Sequence, residues 1–97
     1  MYKKVLKKLQ SSLKVTEDLC KNILKDYPDY NVSRKTVVVL KHSGRGFARV
    51  FIEDSKWWYS DEETGTVFSL PNMEEMAQAL TLLLPELDAT MHAVNEP

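Results

Sequence analysis

The stretch DSKWWYSDEETG, residues 54–65, determines how the middle of this chain is arranged. It places two tryptophans next to each other, and successive side chains of a β-strand point to opposite faces of the sheet. If residues 56–60 form a strand, Trp57 and Tyr59 lie on one face and Trp58 lies on the other. We therefore expect one tryptophan to anchor the core and the other to lie at an interface, with a helix covering the second tryptophan as the alternative.

The composition indicates one small soluble domain, residues 1–97. Hydrophobic residues make up 43% of the chain and charged residues 28%, which is typical of a globular protein and not of a disordered one. No apolar run approaches the roughly 20 residues that cross a bilayer, and the N-terminal stretch MYKKVLKKLQSS lacks the apolar core of a signal peptide. We therefore predict an intracellular, cytoplasmic protein that does not contact a membrane.

The two halves of the chain carry opposite charges. Residues 1–49 contain 12 lysines and arginines against four acids, a balance of +8, and residues 50–97 contain one base against ten acids, a balance of −9. This charge segregation predicts a folded surface with a basic and an acidic side. Either the charges neutralise each other within the molecule, or the basic side binds an anionic partner.

Residues 1–27 are predicted to form one long amphipathic helix. Pro28 disfavours helical geometry in the residue before it, so the helix is expected to end near Tyr27. A break near residues 15–18 is the alternative, with Thr16 as an N-cap. Side chains of the predicted stripe recur at alternating spacings of four and three residues: Tyr2, Leu6, Leu9, Leu13, Thr16, Cys20, Ile23 and Tyr27.

Residues 35–70 are predicted to form a four-stranded antiparallel meander, because every connection in this region is short. The segment 28–33, PDYNVS, is assigned to a loop from its Pro, Asp, Asn and Ser residues. The predicted strands and turns are KTVVVLKH (35–42), the hairpin connection SGRG (43–46), FARVFIED (47–54), KWWYS (56–60), the solvated turn DEETG (61–65) and TVFSL (66–70).

The alternation in residues 47–54 assigns side chains to the two faces of the sheet. Ala48, Val50 and Ile52 fall on one face. The opposite face receives Phe47, Arg49, Phe51 and Glu53. A face that mixes aromatic side chains with arginine is typical of a protein interface or of a surface that stacks nucleic-acid bases.

The last third, residues 72–94, is predicted to be helical. Asn72 followed three residues later by Glu75 resembles a capping box. Pro85 is expected to end one helix near Leu84 and to open a second one. The predicted fold class is therefore α+β: a four-stranded antiparallel sheet with a long N-terminal helix and a C-terminal helical segment, in the order α-β-β-β-β-α(-α).

No catalytic or metal-binding pattern emerges from the sequence. His42 and His92 lie far apart and belong to no metal-binding motif. The single cysteine, Cys20, excludes an internal disulfide, and its place on the apolar stripe favours core packing. We therefore predict a protein that is not an enzyme and that uses neither a metal nor another cofactor.

The surplus of aromatic residues, together with two heptad-spaced helices, favours a small protein-binding module. We expect an adaptor, an inhibitor or a regulator of a larger protein complex, and self-association as a homodimer is part of this prediction. The candidate protein-binding residues are Phe47, Phe51, Trp57, Trp58 and Leu82.

Two alternatives remain open at this level. The basic half predicts nucleic-acid binding, although the acidic half would repel a polyanion. The acidic C-terminal half alternatively predicts an inhibitor of a nucleic-acid-binding protein. The candidate nucleic-acid-binding residues are Lys7, Lys14, Lys21, Lys41, Arg45 and Arg49.

Overall fold

The computed structural model describes the backbone of residues 2–34 and 36–95, and the side chains of residues 12–34 and 36–91. Within these ranges the elements are α1 (Tyr2–Leu24), β1 (Tyr30–Arg34), β2 (Val38–His42), β3 (Arg45–Glu53), β4 (Lys56–Asp61), β5 (Val67–Leu70) and α2 (Met73–Asn95). The strands form one antiparallel sheet in chain order. The predicted α+β class and meander are confirmed, but the sheet has five strands and not four.

Strand β1 lies where the sequence predicts a loop. It pairs with β2 from Tyr30 opposite His42 to Arg34 opposite Val38, and it forms one edge of the sheet. An edge strand has a neighbour on one side only, so polar residues that are typical of turns, such as Asn31 and Ser33, are tolerated there. The loop prediction was wrong for this reason.

Helix α1 ends at Leu24, three residues before the predicted end. After that point the Tyr27 N–H donates to the Leu24 carbonyl at 2.9 Å and the chain turns towards β1. Thr16, Cys20 and Leu24 are buried and Ile23 is half-buried, so the buried stripe follows the predicted spacing and shifts by one residue at its end. The predicted stripe residues Tyr2, Leu6 and Leu9 lie outside the described side chains.

Helix α2 is one element with Pro85 inside it, so the prediction of two helices was wrong. Its start is as predicted, because the Asn72 side-chain oxygen accepts the Glu75 N–H at 2.9 Å. A proline inside a helix costs about 3 kcal/mol. Burial of Leu87 and Met91 beyond the proline contributes roughly 1.5–3 kcal/mol each and offsets that cost.

Both helices pack on the same face of the sheet. α1 contacts β1, β2 and β3, α2 contacts β5, and the two helices contact each other. Val38, Val50 and Tyr59 lie opposite one another on three adjacent strands beneath the helices and are fully buried. The protein therefore has two layers, helices and sheet, and no described helix covers the opposite face of the sheet.

Two-residue turns connect β2 to β3 and β3 to β4. Both central residues have positive φ in each turn: 51° at Ser43 and 82° at Gly44, and 52° at Asp54 and 61° at Ser55. Two positive φ values match the right-handed twist of the flanking strands. The first turn uses one of the glycines predicted for it. In the second turn, the backbone of Asp54 and Ser55 adopts a conformation that favours glycine, although both residues carry a Cβ.

We predict that Ser55→Gly stabilises the protein by about 0.5–1 kcal/mol. The left-handed conformation costs a residue with a Cβ roughly 1–2 kcal/mol, and the greater freedom of glycine in the unfolded chain cancels about 0.4–1 kcal/mol of that gain. Urea denaturation measures the change. Ser33→Gly in β1 is the matched control and should destabilise the protein, because Ser33 lies within a strand. Equal effects of the two substitutions would contradict this explanation.

Candidate functional site

The face of the sheet opposite the helices is the candidate functional site, and we call it the open face. The strand register places two rows of side chains there. One row runs from Val39 through Arg49 and Ser60 to Val67, and the other pairs Phe51 with Trp58. Val67 is 62% exposed and adds apolar surface at the β5 end of the first row.

The centre of the open face is an ordered aromatic pair. The rings of Phe51 and Trp58 are stacked, with centroids 6.2 Å apart and planes 5° from parallel. The Trp58 indole Nε1 donates to the Glu53 carbonyl at 3.1 Å, which fixes the ring against the β3–β4 turn. Both residues are half-buried, so the pair presents a preformed apolar surface.

Trp57 occupies the opposite, covered face. It is 8% exposed and lies opposite Ile52 on β3 and Leu70 on β5. Trp57 is therefore a core residue, and its orientation does not support the prediction that it binds a protein partner. The alternation expected for β4 holds, and it leaves Trp58 as the tryptophan that faces outward.

Phe47 does not lie beside Phe51, contrary to the sequence prediction. The β2–β3 register shifts between Leu40, which faces Ala48, and Lys41, which faces Gly46. Phe47 is the extra residue of this bulge, and its side chain turns into the core, where it is 6% exposed. The prediction assumed unbroken alternation and was wrong because one residue is inserted here.

A depression of about 290 Å³ lies at the row of Arg49 and Ser60, which neighbours the row of the aromatic pair. Its lining includes Val39, Gly46, Arg49, Ser60 and Glu62. A Cβ on Gly46 would lie 3.0 Å from the Val39 Cγ1, so the lack of a side chain at this position keeps the floor open. The depression can accept a partner's side chain beside the stacked rings.

Ion pairs join the basic half of the chain to the acidic half at one end of the sheet. Arg45 lies 3.2 Å from Glu63, and Arg49 lies 3.7 Å from Glu62. Such exposed pairs each contribute only about 0–1 kcal/mol to stability. They lower the positive charge that Arg45 and Arg49 could offer to a phosphate, which favours the prediction of neutralisation within the molecule.

The structure separates the candidate nucleic-acid-binding residues. Lys41 and Arg49 lie on the open face, and Arg45 begins β3 beside the β2–β3 turn. Lys14 and Lys21 lie on α1, in the layer on the other side of the sheet, where they pair with Asp18 and Glu17. The side chain of Lys7 lies outside the described residues.

Leu82 is also remote from the open face. It is 77% exposed on α2, whereas Leu80 and Leu84 on either side of it are buried. Residues two apart on a helix point in nearly opposite directions, so Leu82 faces solvent on the outer surface of the helical layer. Phe51 and Trp58 are therefore the candidate protein-binding residues that the fold brings together.

The acidic turn after β4 is organised around a buried carboxylate. Asp61 is 3% exposed, and its side chain accepts hydrogen bonds from the Tyr59 hydroxyl, the Thr64 N–H and the Thr64 hydroxyl, each at 2.7 Å. The prediction of a fully solvated turn was wrong for this residue. Asp61 holds the β4–β5 connection and cannot present its charge to a partner.

Burial and hydrogen bonding raise the pKa of several groups in the covered layer. Burial raises the pKa of the Cys20 thiol to about 12. Burial and the hydrogen bond to Asp61 raise the pKa of Tyr59, and burial and the hydrogen bond to Asp88 raise the pKa of Tyr30. These groups keep their protons in the folded state at pH values where the unfolded chain loses them.

We predict that the free energy of unfolding falls as the pH rises above about 9. The unfolded state ionises Cys20 near pH 9 and the two tyrosines near pH 10 and then binds fewer protons than the folded state. The contribution of the raised pKa values to the free energy of unfolding is therefore fully present below pH 9 and is lost as the pH rises above it. Denaturant titrations from pH 7 to 11 measure this, and Tyr59→Phe should make the fall above pH 10 shallower. A constant stability over this range would contradict the prediction.

Comparison with known proteins returns no family for this chain. No protein-family model matches it, and neither a curated protein nor a solved structure shows significant similarity to it. Among the described residues, no helix combines the length and apolar character required to cross a membrane.

Proposed function

We propose that this protein is a non-enzymatic protein-binding module and that the open face is its binding surface. The observation that carries the proposal is the stacked pair of Phe51 and Trp58 on a sheet face that no described helix covers. Burying a pair of aromatic side chains is a large source of binding free energy. A partner that covers the face would complete a third layer on the sheet.

The composition of the open face supports a protein partner. Its centre is aromatic, whereas its edges carry charges of both signs, with Glu53 opposite Lys56 and Arg49 close to Glu62. An apolar centre with a polar rim is the usual anatomy of a protein interface, and tryptophan and arginine are enriched among residues that dominate binding. The depression beside Arg49 adds a place for a side chain of the partner.

Self-association is one form of this proposal. Two copies can pack their open faces together about a two-fold axis, with the sheets about 10 Å apart. Such a homodimer would bury both aromatic pairs at once. Sedimentation velocity over a range of protein concentrations distinguishes it from binding to a different protein.

We predict that Trp58→Ser and Phe51→Ser each weaken partner binding at least tenfold, because each removes half of the aromatic pair. Binding is measured either as the homodimer dissociation constant or as the affinity for a protein that the wild type captures and that is then purified. Leu82→Ser is the matched control, since it removes an exposed apolar side chain from the other side of the molecule. Circular dichroism shows whether each variant is folded.

The proposal would be contradicted if the two open-face variants bind like the wild type while Leu82→Ser does not. A wild-type protein that stays monomeric at high concentration and captures no protein would also overturn it.

Nucleic-acid binding is the second candidate function, and one observation favours it. Lys41 and Arg49 lie on the same face as the Phe51–Trp58 pair, so cations and stacking rings occur together. The pairing of Arg49 with Glu62 weighs against it. A mobility-shift assay with single- and double-stranded nucleic acid at low and moderate salt decides the question, because phosphate binding weakens steeply with salt. The absence of a shift at low salt removes this candidate.

A further inference from the structure

A second concave surface lies where the end of α1 meets the edge strand β1, and we call it the edge groove. Its volume is about 270 Å³. The residues that define it are Lys21, Lys25, Tyr27, Pro28, Asn31 and Val32. The edge groove is separate from the open face, because Lys21 and Lys25 belong to the helical layer.

One side of the edge groove is an unpaired strand edge. The Ser43 N–H donates to the Asp29 carbonyl, whereas the Tyr30 N–H donates away from β2, to the Tyr27 carbonyl. Backbone groups of an antiparallel strand alternate between the two sides, so the N–H and C=O of Val32 face away from β2. β1 has no second neighbour in the described sheet, and an extended peptide can therefore add a strand there.

The side chains around the edge groove combine an apolar floor with a basic rim. Leu24, Tyr27 and Val32 supply the apolar part. On the rim, the Lys21 side chain is 60% exposed. Its Nζ lies 3.8 Å from a carboxylate oxygen of Glu17. Lys25 is exposed and forms no ion pair with the side chains that the structure describes.

Among the described residues that line the groove, two are lysines and none is acidic. Glu17 is shared, since Arg34 lies 3.6 Å from its other carboxylate oxygen. Glu17 therefore neutralises Lys21 only in part, and both lysines remain available to a partner. Asp26 and Asp29 are exposed nearby in the chain, but neither lines the groove.

The spacing of the two lysines suits an extended acidic segment. Lys21 and Lys25 are four residues apart on α1, which places them about 6 Å from each other. Alternate side chains on one face of a strand are about 6.6–6.8 Å apart. Two carboxylates on the same face of an added strand can thus reach both lysines, while an apolar side chain on that face enters the groove.

We infer that the edge groove binds an extended acidic segment of a partner protein, which adds a strand to the outer edge of β1. The segment's backbone bonds to Val32, and its carboxylates bind Lys21 and Lys25. This inference goes beyond the proposed function, because it uses a different surface and a partner of defined chemistry.

Two blocked synthetic peptides of identical composition test the inference with the full-length protein. In Glu-Thr-Glu-Thr-Val the two carboxylates, on alternate residues, and the valine share one face of a strand, whereas in Thr-Glu-Val-Glu-Thr the carboxylates lie on the face opposite the valine. We expect the first peptide to bind at least fivefold more tightly. Nuclear magnetic resonance titrations should show the largest amide shifts in residues 30–34.

Variants of the protein separate specific binding from simple charge attraction. Lys21→Gln combined with Lys25→Gln should weaken binding of the first peptide at least tenfold, whereas Lys14→Gln, on an exposed lysine of the same helix, should leave it unchanged. Val32→Pro removes the outward N–H without removing a bond to β2 and should also abolish binding. Trp58→Ser should bind the peptide normally, so failure of the open-face proposal would not affect this result.

Equal affinities for the two peptides would overturn the inference, because they would indicate charge attraction without an added strand. Shifts that are confined to residues outside 21–34, or a folded Val32→Pro variant that binds like the wild type, would overturn it as well.

Discussion

The alternation of side chains along β4 is the constraint on which the rest of the structure depends. Because Trp57 and Trp58 are adjacent in a strand, their side chains point to opposite faces of the sheet. The helices cover one of these two faces. Trp57, Tyr59 and Asp61 point to the covered face and are buried there. Tyr59 lies opposite Val50 and Phe68, which continues the buried row across the sheet, and its hydroxyl holds the carboxylate that organises the next turn. The open face follows from the same alternation, since Trp58 then faces away from the helices and stacks on Phe51.

Much of the fold can be predicted from local patterns in the sequence. The described part of the α1 stripe, the N-cap at Asn72 and a turn within residues 43–46 depend on neighbours within four residues, and the structure confirms them. The turn itself is shorter than predicted, because β3 already begins at Arg45. Strand β1 could not be predicted, because its pairing with β2 and not its composition makes it a strand. The burial of Phe47 depends on a single inserted residue opposite β2, which no periodicity indicates, although the glycine before it was a possible signal. Alternation in the sequence assigned Phe51 and Arg49 to one face. Whether the helices cover one face or both is decided by tertiary packing, so the exposure of this face, its depression and the edge groove could not be predicted.

The fold also converts the charge segregation of the sequence into local neutralisation. Two arginines of the basic half meet two glutamates of the acidic half beside the open face. The aromatic pair therefore lies in a nearly neutral setting, which suits a protein partner better than a polyanion. Positive charge instead persists around Lys21 and Lys25, on the helical side of the sheet edge. The molecule thus offers two chemically different surfaces, an aromatic one on the sheet and a basic groove at its edge, and a partner for one would leave the other accessible.

The central claim is that the sheet is covered on the Trp57 side and open on the Trp58 side. The chain has two tryptophans, so Trp57→Phe and Trp58→Phe each leave one fluorophore. Acrylamide quenching of these two variants tests the claim most directly. The two-layer arrangement predicts that Trp58, observed in the Trp57→Phe variant, emits at longer wavelength and is quenched several times more efficiently than Trp57. Equal quenching of the two tryptophans, or stronger quenching of Trp57 in a folded Trp58→Phe variant, would contradict the two-layer arrangement and with it the open face.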